Sequence, residues 1–322
     1  MAEMPYAAAV NRALAEELAR DERVVVLGED VRAGMFGTTS GLVQRFGEER
    51  VINTPIWENG IAGMALGLAI TGMRPVAEIM FADFMYLAMD EIANQIASWT
   101  YMTGGQTSVP LVIRTAGGAG FAIGYNHSQV TEASFLGPPG LKVVAPSNAA
   151  DACGLLKSAV RDDDPVLVFE HKFLYFVPQE VPDEEFLVPL GKANVLRSGD
   201  DVTMVAIGSM VGKALEAAGT LAADGISVEV IDPRTLVPLD QETIFGSVAR
   251  TGRLVTVEEG RKRGSVGSEI AAEAAEKIFG SLKAPVARVA APDIPVPPGP
   301  LAESMYVPSA ERIVETVRRL VG

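Results

Sequence analysis

Short, uninterrupted apolar runs alternate with stretches of helical spacing through the first half of this sequence. The runs lie at residues 24–27, 76–80, 109–114, 141–145 and 166–169, and the helical stretches at 6–20, 61–70, 86–101 and 149–160. A strand that is apolar along its whole length is typical of a parallel sheet with both faces covered by helices. The pattern therefore predicts an α/β fold with a mainly parallel sheet.

The length of 322 residues exceeds what one ordinary hydrophobic core usually supports. The alternation fades after residue 172, where three prolines and an acidic run indicate a connecting segment, and it resumes at residue 202. We predict an α/β domain at residues 1–180, a linker at 181–197, and a smaller C-terminal α/β domain at 198–322.

Composition excludes several classes of function. The formal net charge is -14 at pH 7 and no basic stripe is present, which argues against nucleic-acid binding. The longest apolar stretch, residues 60–73, is shorter than the roughly 20 residues that a membrane-spanning helix needs. Residues 1–11 lack the features of a signal peptide. We expect a cytoplasmic protein without membrane contact.

The usual sequence motifs of metal and nucleotide sites are missing. Two histidines, His127 and His171, and one cysteine, Cys153, are too few for an ordinary zinc site. The sequence contains no GxGxxG, P-loop or GxSxG motif. Ligands of parallel sheets bind beyond the carboxyl ends of the strands, so the segments 28–30, 54–60 and 80–87 and the segment around His127 are the candidates.

Glu58 is the sharpest candidate among these residues. It lies between Ile56, Trp57 and Ile61 at the start of an apolar helical stretch, so we expect its carboxyl group to be poorly solvated. A poorly solvated carboxyl group is a good proton donor near neutral pH. The alternative is that Glu58 only stabilises the helix N-terminus electrostatically.

The other candidates also have structural alternatives. Glu29 and Asp30 could cap a following helix, and Met80, Phe84 and Tyr86 could belong to the core. His127 lies in a polar segment after a glycine-rich stretch and can titrate near neutrality, which suits proton transfer or substrate orientation.

In this order, the segments resemble the β subunits of thiamine-diphosphate-dependent 2-oxo acid dehydrogenases. The resemblance extends over essentially the whole chain. The matching stretches are LGEDV at 27–31, TPIWE at 54–58, AEIMFADF at 77–84, YMTGGQ at 101–106, HSQ at 127–129, PGLKVV at 139–144, RDDDP at 161–165 and IDPRT at 231–235.

The resemblance implies the roles of individual residues. Glu58 matches the glutamate that hydrogen-bonds N1′ of the cofactor's aminopyrimidine ring and thereby favours the tautomer that activates the thiazolium. His127 matches a histidine that handles protons or orients the lipoyl acceptor. The residues that match the lining of the pyrimidine and substrate pocket are Glu29, Ile56, Trp57, Met80, Phe84, Met85, Tyr86 and Leu87.

The resemblance also implies ions and partners. A potassium ion would be held by Leu111, Ala159, Val160, Asp162 and Asp164, although acidic residues at helix ends are common for other reasons. The sequence has no Gly-Asp-Gly, the start of the motif that holds the magnesium and diphosphate. An α subunit would supply that half in a unit of two α and two β chains, which docks on a dihydrolipoyl acyltransferase core.

Two departures from the family leave the substrate open. Trp57 stands where a small or medium residue is usual, and Asn126 precedes the histidine where glutamine is common. We expect oxidative decarboxylation of a small 2-oxo acid, pyruvate by preference, with acyl transfer to lipoamide. The alternatives are an acetoin or branched-chain 2-oxo acid dehydrogenase β subunit, a self-sufficient transketolase-like enzyme, and a non-catalytic assembly subunit.

Overall fold

The computed structural model describes all 322 residues, and these divide into two units. The first unit comprises Met1–Gly117 and Phe135–Leu190, and the second comprises Gly118–Ser134 and Gly191–Gly322. The predicted domain bounds remain a prediction. The segment 118–134 follows a strand of the first unit, but its contacts make it part of the second unit.

The first unit contains eight strands and five α-helices. Its strands are β1 (Ala2–Pro5), β2 (Val24–Gly28), β3 (Val51–Asn53), β4 (Arg74–Phe81), β5 (Val112–Gly117), β6 (Lys142–Val144), β7 (Val166–His171) and β8 (Pro178–Val181). Its α-helices are α1 (Tyr6–Arg20), α2 (Leu42–Phe46), α3 (Glu58–Ile70), α4 (Trp99–Met102) and α5 (Ala149–Arg161). Short 3₁₀ segments lie at Ala82–Ala88, Glu132–Phe135 and Lys172–Phe176, the second of them ending at the first residue after the segment 118–134.

Within the first unit the parallel strands follow the order β6-β7-β5-β4-β2-β3. Every residue of β2, β5 and β7 is buried, as the continuous apolar runs predicted. The chain adds β3 on one side of β2 and then β4 on the other, so the strand order reverses at β2 and β4. Open parallel sheets bind ligands beyond the carboxyl ends of the strands at such a switch point.

The second unit contains a second, mainly parallel sheet. The strands of this unit are β9 (Asn194–Arg197), β10 (Val202–Ala206), β11 (Val228–Asp232), β12 (Thr235–Val237), β13 (Leu254–Arg261) and β14 (Ala287–Ala291), of which all but β12 form the sheet. Its α-helices are α6 (Met210–Ala223), α7 (Gln241–Thr251), α8 (Val266–Ile278), α9 (Pro300–Tyr306) and α10 (Ala310–Val321). The sheet order is β14-β13-β10-β11-β9, with only the edge strand β9 antiparallel. The predicted α/β class and mainly parallel sheets are confirmed.

The helical stretch predicted over residues 86–101 is not one continuous α-helix. The region forms the 3₁₀ segment Ala82–Ala88, the π-helical turn Glu91–Ile96 and the short α4 instead. The hydroxyl of Ser98 donates to the carbonyl of Asn94, four residues earlier, and the Asn94 amide donates to Asp90. Side-chain hydrogen bonds of this kind compete with the regular backbone ladder and bend helices.

Candidate active site

Three chain segments of the first unit meet around the switch point of its sheet. Glu29 directly follows β2, the 3₁₀ segment Ala82–Ala88 directly follows β4, and Glu58 is the first residue of α3. Helix α3 packs against β2, β4 and this 3₁₀ segment. The fold therefore places three of the predicted segments at one end of the sheet.

The carboxyl group of Glu58 lies in an unusual environment. Glu58 is only 8% exposed, yet no lysine or arginine side chain forms an ion pair with it. As the first residue of α3, it also lies where the helix dipole favours a negative charge. The position of Glu58 is thus compatible with electrostatic stabilisation of the helix N-terminus. The buried carboxyl group also remains available as a hydrogen-bond partner for a ligand.

Glu29 lies close enough to Glu58 for their charges to interact. Partial burial raises the pKa of Glu29, and the negative charges of Asp30 and Glu58 raise that pKa further. The position is set by Gly28, whose φ is +152°, because a Cβ there would lie 2.5 Å from the carbonyl oxygen of Glu78. The next helix after β2 begins only at Leu42, so Glu29 and Asp30 do not cap one.

Large apolar side chains face solvent just before Glu58 in the chain and on the 3₁₀ segment Ala82–Ala88 that packs against α3. Ile56 is 72% exposed, Trp57 62% and Leu87 62%, and Tyr86 is also exposed. The indole of Trp57 folds over Gly60, where an added Cβ would lie 2.3 Å from the ring. Exposed apolar patches of this kind mark binding surfaces for ligands or partner chains.

The remaining predicted pocket residues are more deeply placed. Met80 and Phe84 are half-buried, and the Phe84 ring packs edge-on against Phe81 with centroids 6.0 Å apart. Met85 is completely buried, so its side chain lies in the protein interior. These placements leave the pocket-lining roles of the three residues as predictions.

His127 lies in the second unit, at the end of a short 3₁₀ turn, Tyr125–His127. It is half-buried. The backbone amide of Gly118 donates to the carbonyl of Gln129 at 3.2 Å, which closes the segment between them into a loop. We call residues 118–129 the histidine loop.

Sequence reasoning missed a set of buried acidic residues around the histidine loop. Glu259 accepts a hydrogen bond from the Ala119 amide at 2.6 Å, and Glu303 accepts one from the Ala122 amide at 2.7 Å. Glu132 and Glu258 are buried nearby. A signal was present for Glu258 and Glu259, because they directly follow the apolar run 254–257 in β13. Nothing comparable singles out Glu303.

The residues predicted to hold potassium lie together around the C-terminus of α5. The ammonium of Lys142 bonds both carboxylate oxygens of Asp162 at 2.8 Å and one of Asp164 at 3.0 Å. Arg74 donates to the carbonyl oxygens of Val160 and Asp162. Two cationic side chains of the protein therefore already contact part of this oxygen-rich region.

No group of three or more His, Cys, Asp or Glu side chains is arranged to hold a metal ion. None of the helices combines the length and the apolar composition that crossing a bilayer requires.

Two family models match almost the whole chain. The transketolase pyrimidine-binding domain matches residues 2–177, and the transketolase C-terminal domain matches residues 191–313. Among solved structures, a split-gene transketolase, described as an inactive beta4 tetramer, superimposes with a TM-score of 0.84 at 30% identity, covering 99% of this chain and 98% of that one.

Similar proteins of known function are beta subunits. The chain is 44% identical to the acetoin:2,6-dichlorophenolindophenol oxidoreductase subunit beta of Bacillus subtilis, over 98% of this chain and 96% of the relative. It is 46% identical to the 2-oxoisovalerate dehydrogenase subunit beta of the same organism, over 99% of both chains. It is 47% identical to the pyruvate dehydrogenase E1 component subunit beta of Staphylococcus epidermidis, over 99% and 98%. The chain therefore belongs to the beta subunits of the thiamine-diphosphate-dependent 2-oxo acid and acetoin dehydrogenases, which have a transketolase fold.

Proposed function

We propose that this chain is the β subunit of a 2-oxo acid dehydrogenase component that acts on a small substrate, pyruvate by preference. In this reaction the substrate carboxylate leaves as carbon dioxide. The remaining two-carbon unit is oxidised to an acyl group and forms a thioester with one lipoyl sulfur, while the lipoyl disulfide is reduced and its other sulfur becomes a thiol. The observation that carries the proposal is the buried, unpaired Glu58 at the switch point of a chain with relatives of this activity.

The residues around Glu58 fit the aminopyrimidine half of thiamine diphosphate. Thiamine diphosphate, when bound, supplies the electron sink for cleavage next to a carbonyl group. Glu58 would share a proton with ring nitrogen N1′, and its burial strengthens that hydrogen bond because little water competes. The exposed faces of Ile56, Trp57 and Leu87 would cover the flat ring and exclude water from it.

Further exposed apolar side chains support the need for a partner chain. Tyr101 is 91% exposed and Met102 57%, on the short α4 of the first unit. Because the sequence has no Gly-Asp-Gly, we assign magnesium and the diphosphate to an α subunit, in a unit of two α and two β chains. Docking on a dihydrolipoyl acyltransferase core would bring the lipoyl acceptor.

A potassium ion at the end of α5 would share its oxygen donors with Lys142, which pairs with Asp162 and Asp164, and with Arg74, which donates to the Val160 carbonyl. The last carbonyl groups of α5 carry the negative end of the helix dipole, and Asp162 and Asp164 add two carboxylates. Leu111, Ala159 and Val160 would bind it through backbone carbonyls, which also accept hydrogen bonds from the Val166 amide, the Asp162 amide and the Arg74 guanidinium.

A second candidate substrate is acetoin, because a relative at 44% identity is an acetoin:2,6-dichlorophenolindophenol oxidoreductase subunit beta. The test is to reconstitute the chain with its α partner and to assay pyruvate, a branched 2-oxo acid and acetoin with lipoamide. We expect pyruvate to give the highest kcat/KM, and the chain alone to be inactive. No rate with pyruvate would refute the substrate assignment, and turnover by the purified chain alone would refute the divided site.

A further inference from the structure

The histidine loop is held in place by two carboxylates of its own unit. The Ala119 amide donates to Glu259 Oε1 at 2.6 Å, and the Ala122 amide donates to Glu303 Oε2 at 2.7 Å. Hydrogen bonds from backbone N–H groups to carboxylates are about twice as strong as neutral ones. The loop is therefore fixed through its backbone, upstream of His127.

The backbone of the histidine loop requires such support. Ala122 has a φ of +56°, in the left-handed region that is unfavourable for alanine. A residue in this conformation costs on the order of 1 kcal/mol and persists only where surrounding contacts impose it. The contact that imposes it here is the hydrogen bond to Glu303, since it engages the amide of the strained residue itself.

The surroundings of Glu303 are unfavourable for a carboxylate, so stability alone does not explain this residue. It is 3% exposed, it forms no ion pair, and its second carboxylate oxygen is buried without a hydrogen-bond partner. A buried carboxylate with an unsatisfied oxygen is costly. Glu259, in contrast, also accepts a hydrogen bond from Ser209 at 2.9 Å.

The contact at Ala122 bears on His127 because little freedom remains between them. Tyr125 and Gln129 lie within 3.5 Å of the Arg261 guanidinium, and the loop is closed between Gly118 and Gln129. The 3₁₀ turn that ends at His127 directly follows Gly124. A change in the path of the chain at Ala122 is therefore passed on to the histidine.

We propose that Glu303 is a positioning residue for His127, which it holds in place through the strained backbone at Ala122. The inference rests on the proposed function and on the role that the family resemblance implies for His127, which is to orient the lipoyl acceptor or to handle a proton. Glu303 itself touches neither substrate nor cofactor in this account. It acts by limiting the positions that the imidazole can adopt.

The test compares Glu303→Met, which removes the acceptor, with Glu303→Gln, whose side-chain oxygen can still accept. Glu315→Met, on the exposed face of α10, is the matched control. In the complex with the α partner, hydrogen exchange is measured for peptides covering 119–127 and, as a reference, 266–278. Glu303→Met should raise exchange at 119–127 by at least about tenfold. Exchange at 266–278 should be unchanged.

The kinetic readout compares the change in kcat, measured with lipoamide as acceptor, with the change in KM for the 2-oxo acid. Glu303→Met should lower kcat by about 10- to 100-fold, the scale of a misplaced catalytic group. Its KM for the 2-oxo acid should not change. Glu303→Gln should restore most of the rate, and Glu315→Met should match the wild type. If Glu303→Met does not fold, Glu303→Asp, which is one methylene shorter, should show the same pattern to a smaller extent.

The results separate this proposal from the proposed function. Unchanged exchange at 119–127 in Glu303→Met would overturn the positioning role whatever the rates are. Raised exchange with a wild-type rate would also overturn it, provided that His127→Ala is slow. If His127→Ala keeps the wild-type rate, the proposed role of His127 fails, and the positioning role fails with it.

Discussion

Glu132 is a buried carboxyl group whose charge depends strongly on its surroundings. Burial raises the pKa of this carboxyl group to about 7, and the negative charges of Glu258 and Glu259 contribute further. Burial also raises the pKa of Glu258. Glu132 lies just beyond the histidine loop, so near neutral pH its charge state changes next to the residues that hold the loop.

This pKa predicts how stability depends on pH. Because the pKa of Glu132 is higher in the folded state, the stability that its protonated form contributes is fully present below about pH 4.5 and is lost as pH rises through 7. The loss amounts to at most about 3 kcal/mol. As the pH rises from 5 to 8, the stability of Glu132→Gln relative to the wild type should therefore increase, as measured by thermal unfolding. Parallel pH profiles for the two proteins would contradict this; Glu315→Gln serves as the control.

At the residue scale, the sequence was sufficient where the relevant neighbours are close along the chain. The apolar neighbours of Glu58 predicted its burial, which the structure confirms at 8% exposure. Glu303 was out of reach, because its contact with Ala122 joins residues far apart in sequence. The fold of the Trp57 indole over Gly60 depends on side-chain rotamers, which composition and spacing do not reveal.

At the element scale, long periodic segments were predicted well. Helix α1 spans Tyr6–Arg20, as its spacing predicted, and α5 extends the prediction by one residue. The sequence patterns did not predict β3, which has only three residues, or the helices α7 and α8. Helix α8 begins at a clear N-cap, where Ser265 accepts from the Ser268 amide, so a search for caps could have found it.

A buried ion cluster ties together three central strands of the first unit. Arg114 of β5 donates to both carboxylate oxygens of Glu170 in β7, at 2.8 and 2.7 Å, and also pairs with Glu78 in β4. The hydroxyl of Tyr175 donates to Glu170 at 2.7 Å. Arg114 is 1% exposed, so no water can replace it.

Removing this cation should destabilise the sheet. Arg114→Met would leave Glu78 and Glu170 buried without a positive partner, which typically costs about 3–5 kcal/mol. Arg263→Met, at a surface pair with Asp293, should cost less than about 1 kcal/mol. Urea unfolding of both variants measures the difference. A loss for Arg114→Met as small as that for Arg263→Met would show that the strands do not depend on the cluster.

At the scale of the whole molecule, the fold class was predictable and the division of the chain was less so. Continuous apolar strands indicated parallel sheets, and both units contain one. The segment 118–134 was placed with the first domain because the chain leaves β5 directly into it. Its backbone, however, bonds to Glu259 and Glu303 of the second unit, which only tertiary contacts disclose.

The whole chain also explains why a partner is required in the proposed function. It offers a buried acid and an exposed apolar surface, and it has no motif for the diphosphate. A site divided in this way places the activating residue and the cofactor's anchor on different chains. The central claim is then that Glu58 activates a cofactor that another subunit anchors.

The most direct test of that claim is the rate at which the C2 proton of bound thiamine diphosphate exchanges with deuterium in the reconstituted complex. Glu58→Gln should slow this exchange by at least about 100-fold, the usual effect of losing a proton-transfer group, while the complex still assembles and binds the cofactor. Glu49→Gln, at an exposed position nearby in sequence, should exchange at the wild-type rate. A wild-type exchange rate in an assembled, cofactor-loaded Glu58→Gln complex would contradict the account.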